Sequence, residues 1–147
     1  MKLSSIMTGG IETIPPQASL AEAARKMASQ DIGSLPVCAE PRRVVGIITD
    51  RDITVRAVAR GMDPNQTRVE EVMTRDVLSC SSEAEVEHAC ELMERRQVRR
   101  LLVTGQDDTP VGIVSLGDIV NTGRNARQAG QALAGISKPG GEHSQAA

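Results

Sequence analysis

The apolar positions fall into short runs and into stripes stepped by three and four, and the same order of runs and stripes occurs twice. Leu20, Ala23, Ala24 and Met27 form one stripe, and Val86, Ala89, Cys90 and Met93 form the other. Each predicts one amphipathic helix. Ser19-x-x-Glu22 stands before the first and Ser82-x-x-Glu85 before the second, both with the spacing of a capping box. Short apolar runs predict strands at Ile11 to Ile14, Ser34 to Ala39 and Val44 to Thr49, and again at Val77 to Cys80, Arg100 to Thr104 and Val111 to Ser115. The polar connections Glu40-Pro41-Arg42-Arg43 and Gln106-Asp107-Asp108-Thr109-Pro110 turn the last two strands of each set into a hairpin. A further helix begins near Asp50 or Leu116. Strand, helix, strand, strand, helix, twice over, predicts an α+β fold.

The duplication is explicit when the chain is slid along itself by 66 residues, which needs no gap. Ile6-Met7-Thr8 falls on Val72-Met73-Thr74, Ala23 and Met27 on Ala89 and Met93, and Val45-Gly46-Ile47 on Val111-Gly112-Ile113. The positions that agree are apolar or turn positions, as in a unit copied and then diverged. Arg60 to Gln66 reads as a turn-rich linker, with Gly61 placed to end a helix. The expected layout is a first repeat with its linker over 1–66, a second repeat over 67–125, and a C-terminal extension over 126–147. In that extension a helix runs to about Leu133, weakened by Gly130 and Gly135, and Ser137 to Ala147 form a disordered tail. Units of roughly 60 residues are marginal alone. Two pseudo-symmetric copies are therefore expected to pack as one module over a shared core, with two related clefts.

Composition narrows the functional classes. A net charge of −2 gives no reason to expect a nucleic-acid or membrane-surface partner, and the absence of Phe, Tyr and Trp removes any aromatic stacking platform. No window approaches the roughly 20 apolar residues of a membrane span, and no apolar signal stretch follows Met1, so a cytoplasmic location is expected. Cys38, Cys80 and Cys90 are odd in number and lack C-x-x-C spacing, which reads as buried thiols in a reducing compartment. The two histidines, His88 and His143, have no Ser or Cys nucleophile in view, so neither triad chemistry nor a metal cluster is expected and the chain reads as a non-enzyme.

The candidate chemistry lies in one repeated phrase. Gly46-Ile47-Ile48-Thr49-Asp50-Arg51-Asp52-Ile53 returns as Gly112-Ile113-Val114-Ser115-Leu116-Gly117-Asp118-Ile119. Thr49 with Asp52, and Ser115 with Asp118, have capping-box spacing at the start of a helix. The same geometry suits a ligand: helix-terminal amides and a hydroxyl beside them accept phosphate, and a carboxylate can take both hydroxyls of a ribose. Both readings stand at this level. Asp50 with Asp52 could also hold Mg²⁺ beside a nucleotide phosphate.

These phrases resemble the G-h-h-[ST]-x-x-D ending of CBS (cystathionine-β-synthase) domains. Val98-Arg99-Arg100-Leu101-Leu102-Val103 and Ile32-Gly33-Ser34-Leu35-Pro36-Val37 resemble the family's I-H-R-L-P-V segment, and Met7-Thr8 and Met73-Thr74 its opening V-M-T. The resemblance covers roughly residues 4 to 125 and points to small bacterial stand-alone CBS pairs, including the hypoxic-response type. It implies two β-α-β-β-α CBS repeats and a regulatory, signalling role through an adenine nucleotide (AMP, ADP or ATP, with Mg²⁺ where phosphate requires it). S-adenosylmethionine is the ligand of some members. Carried over by position, Asp52 and Asp118 hold ribose, while Thr49 and Ser115 face phosphate. Thr13, Ile14 and Pro15, with Ser79 and Cys80, meet adenine. Ser34 and Leu35, with Arg99, Arg100 and Leu101, close the pockets, and Arg51 is a further phosphate candidate. Gly33-Ser34 departs from the family's His-Arg, so the two sites are expected to be unequal. No cofactor is required. A homodimer and an effector protein acted on in trans are the expected partners. The alternative is a ligand-free dimeric interaction protein of stress response, with the Thr/Ser–Asp pairs serving as caps.

Overall fold

The structure, a computed structural model, describes residues 1–40 and 42–139. It divides into two compact units: a central one, Glu12–Val77, and a terminal one that joins Met1–Ile11 to the chain from Leu78 onward. Buried apolar side chains form two clusters, one in each unit, where a single shared core was expected. The reason lies in the lead-in segments. Leu3, fully buried, belongs to the terminal core, whereas Val69, its counterpart one repeat later, is fully buried in the central core together with Val72 and Met73. Each unit thus completes its apolar centre with the segment that precedes the other repeat.

In the central unit, α1 (Leu20–Gln30) buries Leu20, Ala23 and Met27 of the stripe read from the sequence, whereas Ala24, also expected on it, is exposed. Ser19 caps it by accepting the Glu22 amide at 3.1 Å. Strands β2 (Ser34–Ala39) and β3 (Arg43–Thr49) form an antiparallel hairpin with Ser34 opposite Thr49 and Leu35 opposite Ile48. The strand expected over Ile11 to Ile14 shrinks to Ile14 alone, which bridges Val37 in parallel. Its amide donates to the Pro36 carbonyl and its carbonyl accepts the Cys38 amide, both at 3.0 Å. Pro15 and Pro16 have no amide hydrogen with which to continue the pairing. On the other side, Ile47 bridges Thr74. Strand β3 runs into α2 (Asp50–Asp52), continued by a π-helical turn over Ile53–Ala57 and a 3-10 turn over Val58–Arg60. Gly61 ends this run at φ 70°, the left-handed conformation that glycine adopts without strain. A short helix, α3 (Val69–Val72), closes the unit.

The terminal unit repeats the plan with fuller strands. Strand β1 (Thr8–Gly9) lies beside β6 (Pro110–Ser115), then β5 (Arg100–Thr104) and β4 (Ser79–Ser81), with β4 parallel to β5 and the other pairs antiparallel. Strand β4 starts two residues later than expected, because the Val77 amide is still turned back onto the Arg75 carbonyl at 3.1 Å. Helix α4 (Val86–Arg96) has Glu85 rather than the expected Ser82 at its N-cap position. The 66-residue offset puts Glu85, not Ser82, where Ser19 stands. The Ser82 amide instead donates to Thr104 at 2.8 Å, and the Glu85 carboxylate takes the Met1 ammonium at 2.7 Å. Helix α5 (Leu116–Asn121) follows β6. Helix α6 (Ala126–Ile136) runs three residues past the expected end and packs on α4, burying Ala129, Ala132, Gly135 and Ile136. Gly135 is a packing position: a methyl group there would lie 2.5 Å from Glu94 Cγ. Most of the expected disordered tail, from residue 140 on, lies outside the described residues.

Glycine is required where β3 and β6 meet their lead-in segments. A methyl on Gly46 would lie 2.6 Å from Met73 Sδ and 2.8 Å from the Thr74 carbonyl oxygen. On Gly112 it would lie 2.8 Å from both Met7 Sδ and the Thr8 carbonyl oxygen. The repeat has kept the same close approach twice.

Candidate adenosine-ligand site

The order of β3 and α2 places Thr49 and Asp52 in one turn, and that of β6 and α5 does the same for Ser115 and Asp118. Both turns are complete capping boxes. Thr49 Oγ1 accepts the Asp52 amide at 3.0 Å while Asp52 Oδ2 accepts the Thr49 amide at 3.1 Å. In the other copy Ser115 Oγ accepts the Asp118 amide at 3.1 Å, and Asp118 Oδ2 accepts the Ser115 amide at 2.8 Å. The bonds satisfy amides that a helix start leaves open.

The surroundings of the two carboxylates differ. Asp52 is buried, 8% exposed. The Thr74 hydroxyl donates to its Oδ1 and Oδ2 at 3.3 and 3.4 Å, and Arg56 Nε lies 3.7 Å from Oδ1. Asp118 is half-buried, and Ser115 is its only hydrogen-bonding partner among the described residues, so Oδ1 remains open. Neither Thr74 nor Arg56 was among the residues expected at the site. Arg56 had one signal in the sequence, its position four residues after Asp52 on a helix; Thr74 had none, because pairing of Ile47 with the next repeat's opening is tertiary.

The other expected residues gather in two sets. In the central unit Ser34, 5% exposed, faces Thr49 across the hairpin, and the Asp50 amide donates to the Gly33 carbonyl at 3.0 Å. Ile14 and Leu35 are buried in the core, Pro15 is exposed, and the Thr13 carbonyl accepts Lys26 Nζ at 2.7 Å. Arg51 is exposed at the turn. In the terminal unit Arg100 takes the place of Ser34 and faces Ser115, and the Leu116 amide donates to the Arg99 carbonyl at 2.9 Å. Directly opposed residues of an antiparallel pair share a face, so Arg100 lies on the Ser115 side. Arg99 and Arg100 are exposed, and neither guanidinium has an ion-pair or hydrogen-bond partner among the described residues. Ser79 is exposed on β4, paired with Leu102 of the neighbouring strand β5, while Cys80 and Leu101 are buried and offer backbone only. Burial pushes the thiols of Cys38, Cys80 and Cys90 above the ordinary range, so each stays protonated at neutral pH.

Asp50 and Asp52 do not form an open cation pair: Asp50 Oδ1 accepts the Arg51 amide at 2.8 Å, and both Asp52 oxygens are engaged. Among the described residues no group of three or more His, Cys, Asp or Glu side chains is disposed to hold a metal ion, and no helix is long and apolar enough to cross a membrane.

Two repeats of one hairpin-and-helix plan, each ending in a Thr/Ser–Asp turn, define a tandem-repeat class of fold. The CBS domain family model matches residues 3–58 and again 69–124, and the chain belongs to the CBS-domain family as a CBS pair. Among relatives, the CBS domain-containing protein YhcV of Bacillus subtilis (strain 168) is 39% identical over 131 residues, spanning 89% of this chain and 91% of that protein. A crystal structure of Hypoxic Response Protein I with two coordinated zinc ions is 33% identical, with a TM-score of 0.74, covering 82% of this chain and 98% of that one. The CBS domain pair of MJ0100, in complex with 5′-methylthioadenosine and S-adenosyl-L-methionine, is 30% identical with a TM-score of 0.75, over 83% and 94% of the two chains.

Proposed function

We propose that this CBS pair is a regulatory, non-catalytic module that binds an adenosine-containing ligand (AMP, ADP or ATP) and acts in trans on a partner protein. The observation that carries the reading is Asp118. This half-buried residue has one oxygen fixed by the Ser115 amide and the other without a partner among the described residues, next to a strand that presents Arg100 opposite Ser115. An open carboxylate oxygen accepts ribose hydroxyls, and unpaired guanidinium groups suit phosphate. The MJ0100 pair holds two adenosine compounds without a nucleotide phosphate, which supports the adenosine class. The added guanidinium groups here favour a phosphorylated member over S-adenosylmethionine. Mg²⁺ would enter with a di- or triphosphate, held by the ligand's own phosphates and water. Such a ligand acts by population shift, favouring the arrangement to which it binds best. A homodimer in the cytoplasm is the setting we propose. The closed capping boxes favour one second reading, a ligand-free dimeric interaction protein of stress response.

Thermal unfolding with AMP, ADP, ATP or S-adenosylmethionine separates the two. A ligand at about 100 times its Kd adds about 2.7 kcal/mol to the folded state, an upward shift of the melting temperature that is easily read. Asp118→Asn keeps an oxygen for the Ser115 amide but replaces the open acceptor with an NH₂ donor, so it should abolish the shift without unfolding the protein. Arg100→Ala should weaken the response to nucleotides more than to S-adenosylmethionine. If none of the four compounds moves the wild-type transition, the sensor reading fails and the aspartates are caps.

A further inference from the structure

We infer that Thr74 and Arg56 form an internal latch over Asp52, so that one chain takes a single adenosine ligand, through Asp118, until the latch is opened. This rests on the adenosine-binding reading above. A carboxylate offers about four lone-pair sites on two oxygens. Asp52 spends them on the Thr49 amide and on a Thr74 hydroxyl shared between both oxygens, and Arg56 Nε stands over Oδ1 as an ion pair at 3.7 Å. A ribose diol approaching Asp52 must displace Thr74 and Arg56, while Oδ1 of Asp118 has no partner to displace among the described residues.

The latch is built from two separate pieces of chain. Arg56 sits in the π-helical turn, a widened turn of a kind often found at functional positions. Its Nη1 also donates to the Val72 and Met73 carbonyls at 3.4 and 3.3 Å, the residues immediately before Thr74. The guanidinium therefore ties α2's continuation, the carboxylate and the Thr74 segment together. The terminal unit makes neither contact. Position 122, equivalent to Arg56, is a threonine whose hydroxyl donates to the Ile119 carbonyl at 2.7 Å. Thr8, equivalent to Thr74, is exposed and makes no bond to Asp118. Charge is also distributed to match: Gly33-Ser34 beside the latched carboxylate, Arg99-Arg100 beside the open one.

Equilibrium dialysis of AMP against the full chain, counted at saturation, tests the latch. Wild type should bind one AMP per chain, Asp118→Asn none, and Asp52→Asn one. Arg56→Gln and Thr74→Val, singly or together, should raise the count from one toward two. Arg56 is half exposed, so Arg56→Gln carries the test if removal of the buried-side hydroxyl unfolds the protein; circular dichroism checks the fold of each variant. Two AMP per wild-type chain, or a folded latch variant that stays at one, overturns the latch and leaves the adenosine reading intact. No AMP bound by wild type or by the latch variants overturns both.

Discussion

Replacing Gly46 by alanine places a methyl carbon 2.8 Å from the Thr74 carbonyl oxygen and 2.6 Å from Met73 Sδ. Ordinary carbon contacts lie at about 3.5 Å or beyond, so something has to move. The thioether could swing aside in a loose environment, but Met73 is 5% exposed and part of the core. The carbonyl is held by the Ile47 amide at 2.9 Å, and the Thr74 amide returns a bond to Ile47 at 2.9 Å. Relief therefore opens this bridge. Weakening two backbone bonds costs about 1–2 kcal/mol, and repacking methionine adds about 1 kcal/mol. Alanine restricts the unfolded chain, which returns about 0.5 kcal/mol. The net expectation is a loss of about 2 kcal/mol, or roughly 4–8 °C in melting temperature for a chain of this length. Gly112→Ala, with 2.8 Å contacts to Thr8 O and Met7 Sδ, should behave alike. Gly117→Ala is the control: its methyl meets only Ser115 Oγ at 3.5 Å, inside a helix, and should be neutral or stabilising by about 0.5–1 kcal/mol. Thermal and urea unfolding of the three variants decides the matter. If Gly46→Ala and Gly112→Ala melt with or above Gly117→Ala, the close approach of lead-in segment and strand is not what holds glycine there.

Helix α6 offers a second matched pair. Gly130 is exposed with nothing within 4 Å of an added methyl, so Gly130→Ala should stabilise by about 1 kcal/mol; Gly135→Ala, meeting Glu94 Cγ at 2.5 Å, should instead loosen α6 from α4, which amide exchange over residues 126–136 would report. The cysteines predict a pH dependence. Their thiol pKa values are raised by burial, so the unfolded chain releases its thiol protons first, and this stability, fully present below the unfolded value, is lost as pH rises through the thiol range. Urea midpoints measured from pH 7 to 10 should fall, and less steeply in a variant carrying Cys80→Ala and Cys90→Ala; an equal slope would contradict the assignment.

Features that depend on local pattern, or on comparing one half of the chain with the other, were legible before folding. The stripe Leu20, Ala23, Met27 and its copy Val86, Ala89, Cys90, Met93 are periodicities of one helix face and are buried, while Ala24, read as part of the first, turns outward. Strand β5 runs over the expected residues because its apolar run is bounded by polar segments. The pairing of Thr49 with Asp52, and of Ser115 with Asp118, is local geometry at three residues' spacing, and both capping boxes are present. The offset also contained information that capping motifs obscured: it assigns Glu85 as the counterpart of Ser19, where the Ser-x-x-Glu spacing pointed to Ser82.

Tertiary structure decided which segments complete each core, and with that the difference between the two carboxylates. Leu3 enters the terminal core and Met73 the central one because an apolar side chain is buried wherever a gap accepts it, at any sequence distance. The same exchange carries Thr74 to Asp52, 22 residues away in sequence, while Thr8, brought to β6 alike, makes no hydrogen bond to Asp118. Two turns written in nearly the same letters thus differ in how many hydrogen bonds their aspartates are still able to accept. That number is set by neighbours brought in through folding, so the repeated phrase could not contain it.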